Sequence, residues 1–386
     1  MTDKMVISII ANSQISYKSM GGSDKIFIEL AKAWKKSGVR VSIYGCREAG
    51  AMCLNAGLQD EFRVFSKFDV EKFGLFAAYF LRTVCGIFRG RVIKEGVLYS
   101  SSDFYPDLFF AFWQKMINVK LKWAAGIFLI APHPLKNSSA RSFRGVIYWF
   151  TQKIAIMLMR LRADCVIVLS EEDKAVLVKF GIRREKVVVI SPGIDLEGIA
   201  GVPETADKQY AACFVGRFHQ QKGILELLRI WKIVTAKFPK AKLALVGWGS
   251  QPWIKLINST VLKLGLENNV CLLGFLDNAE KYRVLKSSSL FVFPSSYESW
   301  GIVVAEALGC GCPVVAFDIN ATRKFKKGVV LTDLADTGKF AEAVTRLLGE
   351  KAQLFALALQ AKEAAAEFSW QKTADMLVNA LRRSDA

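Results

Sequence analysis

SLFVFPSSYESWGIVVAEALGCGCPVVAF, residues 289 to 317, reads as one strand–loop–helix–strand unit. An apolar run of strand-forming residues ends at Pro294, and a short polar loop follows. Ile302 to Leu308 then forms a helix, which GCGC closes before the strand PVVAF. Two strands joined by a helix run parallel, because a tight turn reverses the chain. The same alternation extends outward in both directions. AACFVGR, AKLALVGWG and NVCLLGF precede the unit as strands, with helices such as ILELLRIWKIVTAKF between them. Further upstream, MVISIIA, VRVSIYG, VLYSSS, WAAGIFLIA, DCVIVLS and KVVVIS form a second series. Each series predicts an α/β, doubly wound parallel sheet, which takes ligands beyond the carboxyl ends of its strands.

The two series are separated by SPGIDLEGIAGVPETADKQ, a polar stretch rich in Gly and Pro that reads as a linker. The expected domains are therefore 1–195 and 196–366. The amphipathic end, FSWQKTADMLVNALRR, is expected as a helix within 367–384 that packs back on the first domain. A chain of 386 residues, 52% hydrophobic, is long enough for two cores. Its net charge of +18 points to an anionic partner: nucleic acid, phosphorylated metabolites or an acidic membrane face.

The eight cysteines form no C-x-x-C pair and mostly lie in apolar runs, so they read as small buried hydrophobes in a reducing cytoplasm. Two histidines without ligand spacing give no zinc site. The start, MTDKMVISIIANSQ, has no cleavage pattern, which predicts a cytoplasmic location. The greasiest runs are interrupted by Arg82 and Lys153 and fall short of the ~18 uncharged residues of a spanning helix.

Several constellations can carry chemistry. In VGRFHQQKG, residues 215 to 223, Gly216, Arg217 and Lys222 lie between a strand end and a helix start, a place for a diphosphate or simply a solvated loop with two cations. The order of a Walker A loop is absent. LVGWGSQP puts Gly247 in a second βα turn, and the missing third glycine of the dinucleotide fingerprint disfavours hydride transfer. Gly21 and Gly22 follow the first strand, where glycine permits positive φ and close approach of backbone to a ligand, or marks a plain loop. Glu298 and Glu306 have seven residues between them. Eight residues of continuous helix would set them roughly 12 Å apart, about the reach of a nucleoside diphosphate sugar. The alternative is one capping acid and one surface acid. The backbone N–H groups of Trp300, Gly301, Ile302 and Val303 point at a helix start that welcomes anions.

The order GG, V-I-S-P-G-I-D, V-G-R-x4-K-G, L-V-G-x-G, L-G-F and F-P-S-x-x-E-S-W-G-I-V-x-x-E-A-L-x-x-G-x-P-V-V-A resembles the retaining glycosyltransferases of family 4. The resemblance spans most of the chain, is strongest from 187 to 317, and rests above all on the E-x7-E segment. It implies the GT-B fold, two facing Rossmann-like domains with a cleft between them and a last helix crossing back. It also implies roles: Arg217 and Lys222 neutralise the donor diphosphate, Glu298 contacts the donor sugar, and Glu306 holds the ribose hydroxyls. The amides of Trp300 to Val303 cradle sugar and phosphate, and Gly21 and Gly22 face the phosphates. The family's first-domain histidine corresponds to His133, which lies late after its strand. His219 is a bystander. FDINATRKF departs from the glycine-rich turn of relatives, which leaves the base open between UDP- and GDP-linked donors. No D-x-D occurs, so neither a cofactor nor a metal is expected.

Residues 72 to 162 hold 14 basic and 3 acidic side chains, interleaved with Phe, Trp, Tyr and Leu and including Arg141, Arg144, Arg160 and Arg162. This reads either as a surface for an anionic membrane carrying a lipid or lipid-linked acceptor, or as core helices with ordinary surface cations. No nucleic-acid-binding pattern accompanies the charge. A soluble glycan acceptor and a non-catalytic sugar-nucleotide sensor are the other readings.

Overall fold

The computed structural model describes residues 5–15, 21–89, 92–134, 143–205 and 207–383. The chain forms two units, Met1–Pro192 with Trp370–Ala386, and Gly193–Ser369. The segment that reads as a linker belongs to the second unit. Its helix Leu196–Ala200 is capped by Asp195, whose carboxylate accepts from Gly198 N at 2.9 Å, and its Ile194 bridges to Ser369.

The first unit holds seven parallel strands: β1 (Val6–Ala11), β2 (Arg40–Cys46), β3 (Phe62–Ser66), β4 (Val97–Ser100), β5 (Lys122–Gly126), β6 (Cys165–Val168) and β7 (Val187–Val189). Their order is β3-β2-β1-β4-β5-β6-β7, so the chain steps outward from β1, then returns to β4 on its other side. Ile9 sits opposite both Ile43 and Tyr99, which places the most apolar strand at the centre. Helices cover the sheet, and Trp123, Phe110, Met159 and Leu177 anchor the core. The closing helix, Trp370–Arg383, packs on the helix Gly22–Lys36, where Trp34 donates to the Ala374 carbonyl at 3.2 Å.

The second unit repeats the plan with six parallel strands: β8 (Tyr210–Val215), β9 (Leu243–Val246), β10 (Val270–Gly274), β11 (Ser288–Phe293), β12 (Val314–Phe317) and β13 (Val329–Thr332). The order is β10-β9-β8-β11-β12-β13. Trp231, Phe214 and Phe340 are fully buried in its core.

Two strands, β3 and β13, escape the sequence reading. Both are sheet edges, and neither has the fully buried pattern of the central strands. All eight cysteines are free thiols, with burial pushing those of Cys46, Cys53, Cys165 and Cys310 up to about 12. Among the described residues no helix is long and apolar enough to cross a membrane.

Candidate active site

In the second sheet the chain leaves β8 and β11, side by side, toward opposite edges, and the loops at their carboxyl ends meet at this switch point. The β8 loop runs Gly216–Arg217–Phe218–His219 into a short 3-10 turn, Gln220–Lys222, before the helix Ile224–Lys237. The β11 loop runs from Pro294 to Gly301 and enters the helix Ile302–Gly309. Ser296 N donates to the Gln221 carbonyl at 3.0 Å, and the Gln221 side chain donates to the Tyr297 carbonyl. Gly223 has φ +67°, and a Cβ there would strike the Pro294 carbonyl oxygen at 2.1 Å, so only glycine lets the loops lie this close.

Across this junction Lys222 Nζ pairs with the Glu298 carboxylate; both are largely withdrawn from solvent. Arg217 beside them is exposed. The structure therefore pairs two residues singled out in the sequence, with Arg217 on the same loop as Lys222. An anion entering here meets one exposed guanidinium and a lysine whose partner it must displace.

Gly247 has a packing reason of its own. Its φ is +145°, and a Cβ on it would lie 1.8 Å from the Gly216 carbonyl oxygen. Trp300 turns inward: its ring is edge-on to Phe325 at 5.4 Å and Phe368 at 5.3 Å, with Lys324 Nζ 4.4 Å above. That anchor, followed by Gly301 at φ +87°, fixes the first turn of the helix, whose leading N–H groups have no intrahelical acceptor. Helix begins only at Ile302, so a rise of continuous helix does not describe the spacing between Glu298 and Glu306. Glu306 is 1% exposed and pairs with Lys281 at 2.9 Å. Lys281 was not singled out in the sequence; it lies on Asn278–Lys286, the helix after β10, and no local spacing ties it to Glu306. His219 caps the 3-10 turn, its Nδ1 accepting from Gln221 N at 3.3 Å. Burial first, then Arg217 and Lys222, hold its pKa below the usual histidine value.

In the first unit the switch falls between β1 and β4. Contrary to the expectation of positive φ, Gly21 is extended at φ −78°, and neither it nor Gly22 is in the left-handed region. The conformation is not what glycine supplies here. A Cβ on Gly22 would meet nothing within 4 Å, so the helix start opens onto free space. Asp24 caps it, accepting from Gly21 N at 2.7 Å.

Behind this helix start lies a buried polar network. Arg82, fully buried, pairs with Glu48 at 2.7 Å and donates to the carbonyls of Asn12, Gln14 and Phe68. Asp107 gathers Asn12 N and the hydroxyls of Ser13, Ser101 and Ser102. Asp103 accepts from Gln152 at 2.8 Å. Burial pushes both aspartates up to about 6 against those hydrogen bonds. The signal for Arg82 was present: a lone charge in an apolar run has a buried partner more often than it marks a break. His133, well past the end of β5, packs edge-on against Trp149 at 5.0 Å.

With two parallel-sheet units and a polar junction at the second switch point on the page, comparison with known proteins supports a class. Residues 199–368 match the model of "Glycosyl transferases group 1", and residues 128–197 that of "Glycosyltransferase Family 4". Together with the structural neighbours, these matches support a GT-B glycosyltransferase of the family 4 type.

An uncharacterised glycosyltransferase of Methanocaldococcus jannaschii is 31% identical over 194 residues, 48% of this chain and 47% of that protein. The D-inositol 3-phosphate glycosyltransferase of Rhodococcus opacus is 30% identical over 230 residues, 55% of this chain and 51% of that one. The chain thus aligns with about half the length of these curated relatives. Anabaena HepE, solved with UDP-glucose, superposes with a TM-score of 0.77 at 18% identity, over 98% of this chain and 100% of that one. S. aureus TarM, solved with fondaparinux, alpha-GlcNAc-glycerol and UDP, superposes at 0.75 with 13% identity, over 98% and 99%. The fold is GT-B. Among the described residues no group of three His, Cys, Asp or Glu side chains is placed to hold a metal ion.

Proposed function

We propose that this chain is a retaining, metal-independent glycosyltransferase that moves a sugar from a UDP- or GDP-linked donor to a lipid or lipid-linked glycan acceptor at the cytoplasmic face of a membrane. The observation that carries the donor half is the Lys222–Glu298 pair where β8 and β11 part, with Arg217 exposed on the same loop as Lys222. The bond from the anomeric carbon to the diphosphate oxygen breaks, the bond to the acceptor oxygen forms on the same face, and the acceptor's hydroxyl proton passes to the departing diphosphate. Negative charge grows on the leaving diphosphate. Arg217, Lys222 and the first-turn amides of Ile302–Gly309 offset it, aimed before the reaction begins. Glu298, freed from Lys222, takes the sugar hydroxyls, and Glu306, held by Lys281, takes the ribose. In the first unit the open helix start at Gly21 and Gly22 is a further anion position, and the sugar-facing histidine is assigned to His133. Gly216 and Gly247 let the loops close on the donor.

The test is transfer from a panel of nucleotide sugars in the presence of chelator, using a membrane extract as acceptor. Activity should persist, Glu298→Gln should abolish most of it in a folded protein, and Glu306→Ala should chiefly raise the donor KM. Strict dependence on manganese or magnesium would overturn the proposed apparatus. A soluble acceptor is the second reading, favoured by similarity to proteins named for D-inositol 3-phosphate. Transfer to soluble polyols with none to the extract decides for it.

A further inference from the structure

The helix Leu75–Arg89 is built inside out. Its inward positions are Ala78, Arg82 and Gly86, four residues apart, with Gly86 set against Phe65 and Phe110. Its outward positions, at the same spacing, are Phe76, Phe80, Val84 and Phe88, which are 53%, 68%, 37% and 81% exposed. A helix that serves only its own core turns its large apolar side chains inward. This one turns small residues in and phenylalanines out. Its one internal charge, Arg82, is consumed by Glu48 and backbone carbonyls, so nothing charged reaches the outer face between Phe73 and Phe88.

The neighbouring helices extend this face. Leu75–Arg89 packs along Tyr105–Ile117, which packs in turn on Phe143–Arg162. Trp113, Ile117, Phe150 and Leu161 on these helices are exposed. The charge around them is one-sided. Of the three acids in residues 72 to 162, Asp103 and Asp107 are buried, leaving Glu95, with Glu71 just before the segment, against Lys72, Lys94, Lys120, Arg160 and Arg162, all exposed. Arg141 and the side chain of Arg144, which the sequence reading placed on this surface, lie outside the described residues.

We infer that the helix Leu75–Arg89 seats in the surface of an anionic bilayer, its phenylalanine stripe among the upper acyl chains and the surrounding lysines and arginines on the headgroups. This rests on the membrane-acceptor reading and names the element that makes the contact. Fifteen residues extend about 22 Å, short of the ~30 Å hydrocarbon core, so the helix lies along the surface. A second copy of the chain would bring two basic rims together, which disfavours self-association, whereas anionic headgroups complement the rim.

The experiment is co-sedimentation of the full chain with vesicles of phosphatidylglycerol and phosphatidylcholine, comparing wild type with Phe80→Ser/Phe88→Ser. Both side chains are mostly exposed, so the variant should melt with the wild type. Wild type should pellet and stay bound in about 1 M salt, where the Debye length is only ~3 Å. The variant should lose about a hundredfold in partitioning, roughly tenfold for each phenylalanine, and should bind only at low salt. A variant that pellets like wild type in high salt overturns the stripe while leaving the membrane reading standing. A wild type that ignores the vesicles at low salt overturns both. A wild-type dimer that the variant dissolves, seen by light scattering, makes the stripe a self-interface and also overturns the inference.

Discussion

Lys222 and Glu298 pair across the two loops, and this sets how donor binding responds to substitution at each residue. Arg217, exposed nearby, loses only its own contact when changed to alanine, and a charge-assisted hydrogen bond is worth about 1.5–3 kcal/mol. Lys222→Ala does more harm, because it also strands the Glu298 carboxylate, 11% exposed, beside the incoming diphosphate. The expected order of nucleoside diphosphate affinity is wild type, then Arg217→Ala, then Lys222→Ala. Adding Glu298→Gln to Lys222→Ala should recover part of the lost affinity, since groups in direct contact are not additive. Isothermal calorimetry on the four proteins checks this. If the double variant binds as poorly as Lys222→Ala alone, the pair does not govern access to the diphosphate position.

At the scale of elements, Asp103 and Asp107 tie together the loops after β1 and β4 and the helix Phe143–Arg162, and they do so at a cost that depends on pH. Burial raises both carboxyls from 3.8 to about 6, so between those values the folded chain holds protons that the unfolded chain has released. Their contribution is therefore fully present below pH 3.8 and fades as pH rises through about 6, each group being worth on the order of 3 kcal/mol. Asp103→Asn keeps an acceptor for Gln152 but does not titrate. Its melting temperature should fall less steeply than that of wild type between pH 4 and pH 6.5, as followed by calorimetry; equal slopes would show that Asp103 does not titrate there. Apart from Arg82, a lone charge in an apolar run, this network was not legible in the sequence, because Glu48, Arg82 and Asp107 are brought together only by the order of the strands. The central strands were legible, since burial on both faces leaves continuous runs such as VISIIA and CFV. FRVFS and VVLT, both half-exposed edge strands, were not, although KVVVIS and NVCLLGF at the other two edges were. The same division runs through the site. Arg217, Lys222 and Glu298 stand in βα loops whose glycines and cations announce themselves, whereas Lys281 is one more helical lysine until Glu306 is found beside it.

At the scale of the whole molecule, the chain leaves the second unit at Ser369 and ends as part of the first. Trp370–Arg383 is an integral layer of that unit: Ala374, Leu377 and Leu381 are buried, Trp34 donates to the Ala374 carbonyl, and Lys122 Nζ donates to the Leu381 carbonyl at 2.8 Å. Residues that follow the second unit are thus needed for the first core, while the second unit, Gly193–Ser369, is continuous in sequence. The two cores should consequently answer separately to damage. Leu377→Ala removes a fully buried side chain and should cost the first unit about 2–5 kcal/mol. Arg217, Lys222 and the first-turn amides of Ile302–Gly309 lie on loops of the second unit, so the part of nucleoside diphosphate affinity that they carry should hold below the melting of the first unit. Calorimetry should show one transition shifted down and the other in place, with binding titrations of variant and wild type superposing. A single transition that moves as a whole, accompanied by weaker binding, would mean that the second unit depends on the first for its fold, and that the site at β8 and β11 is not self-sufficient.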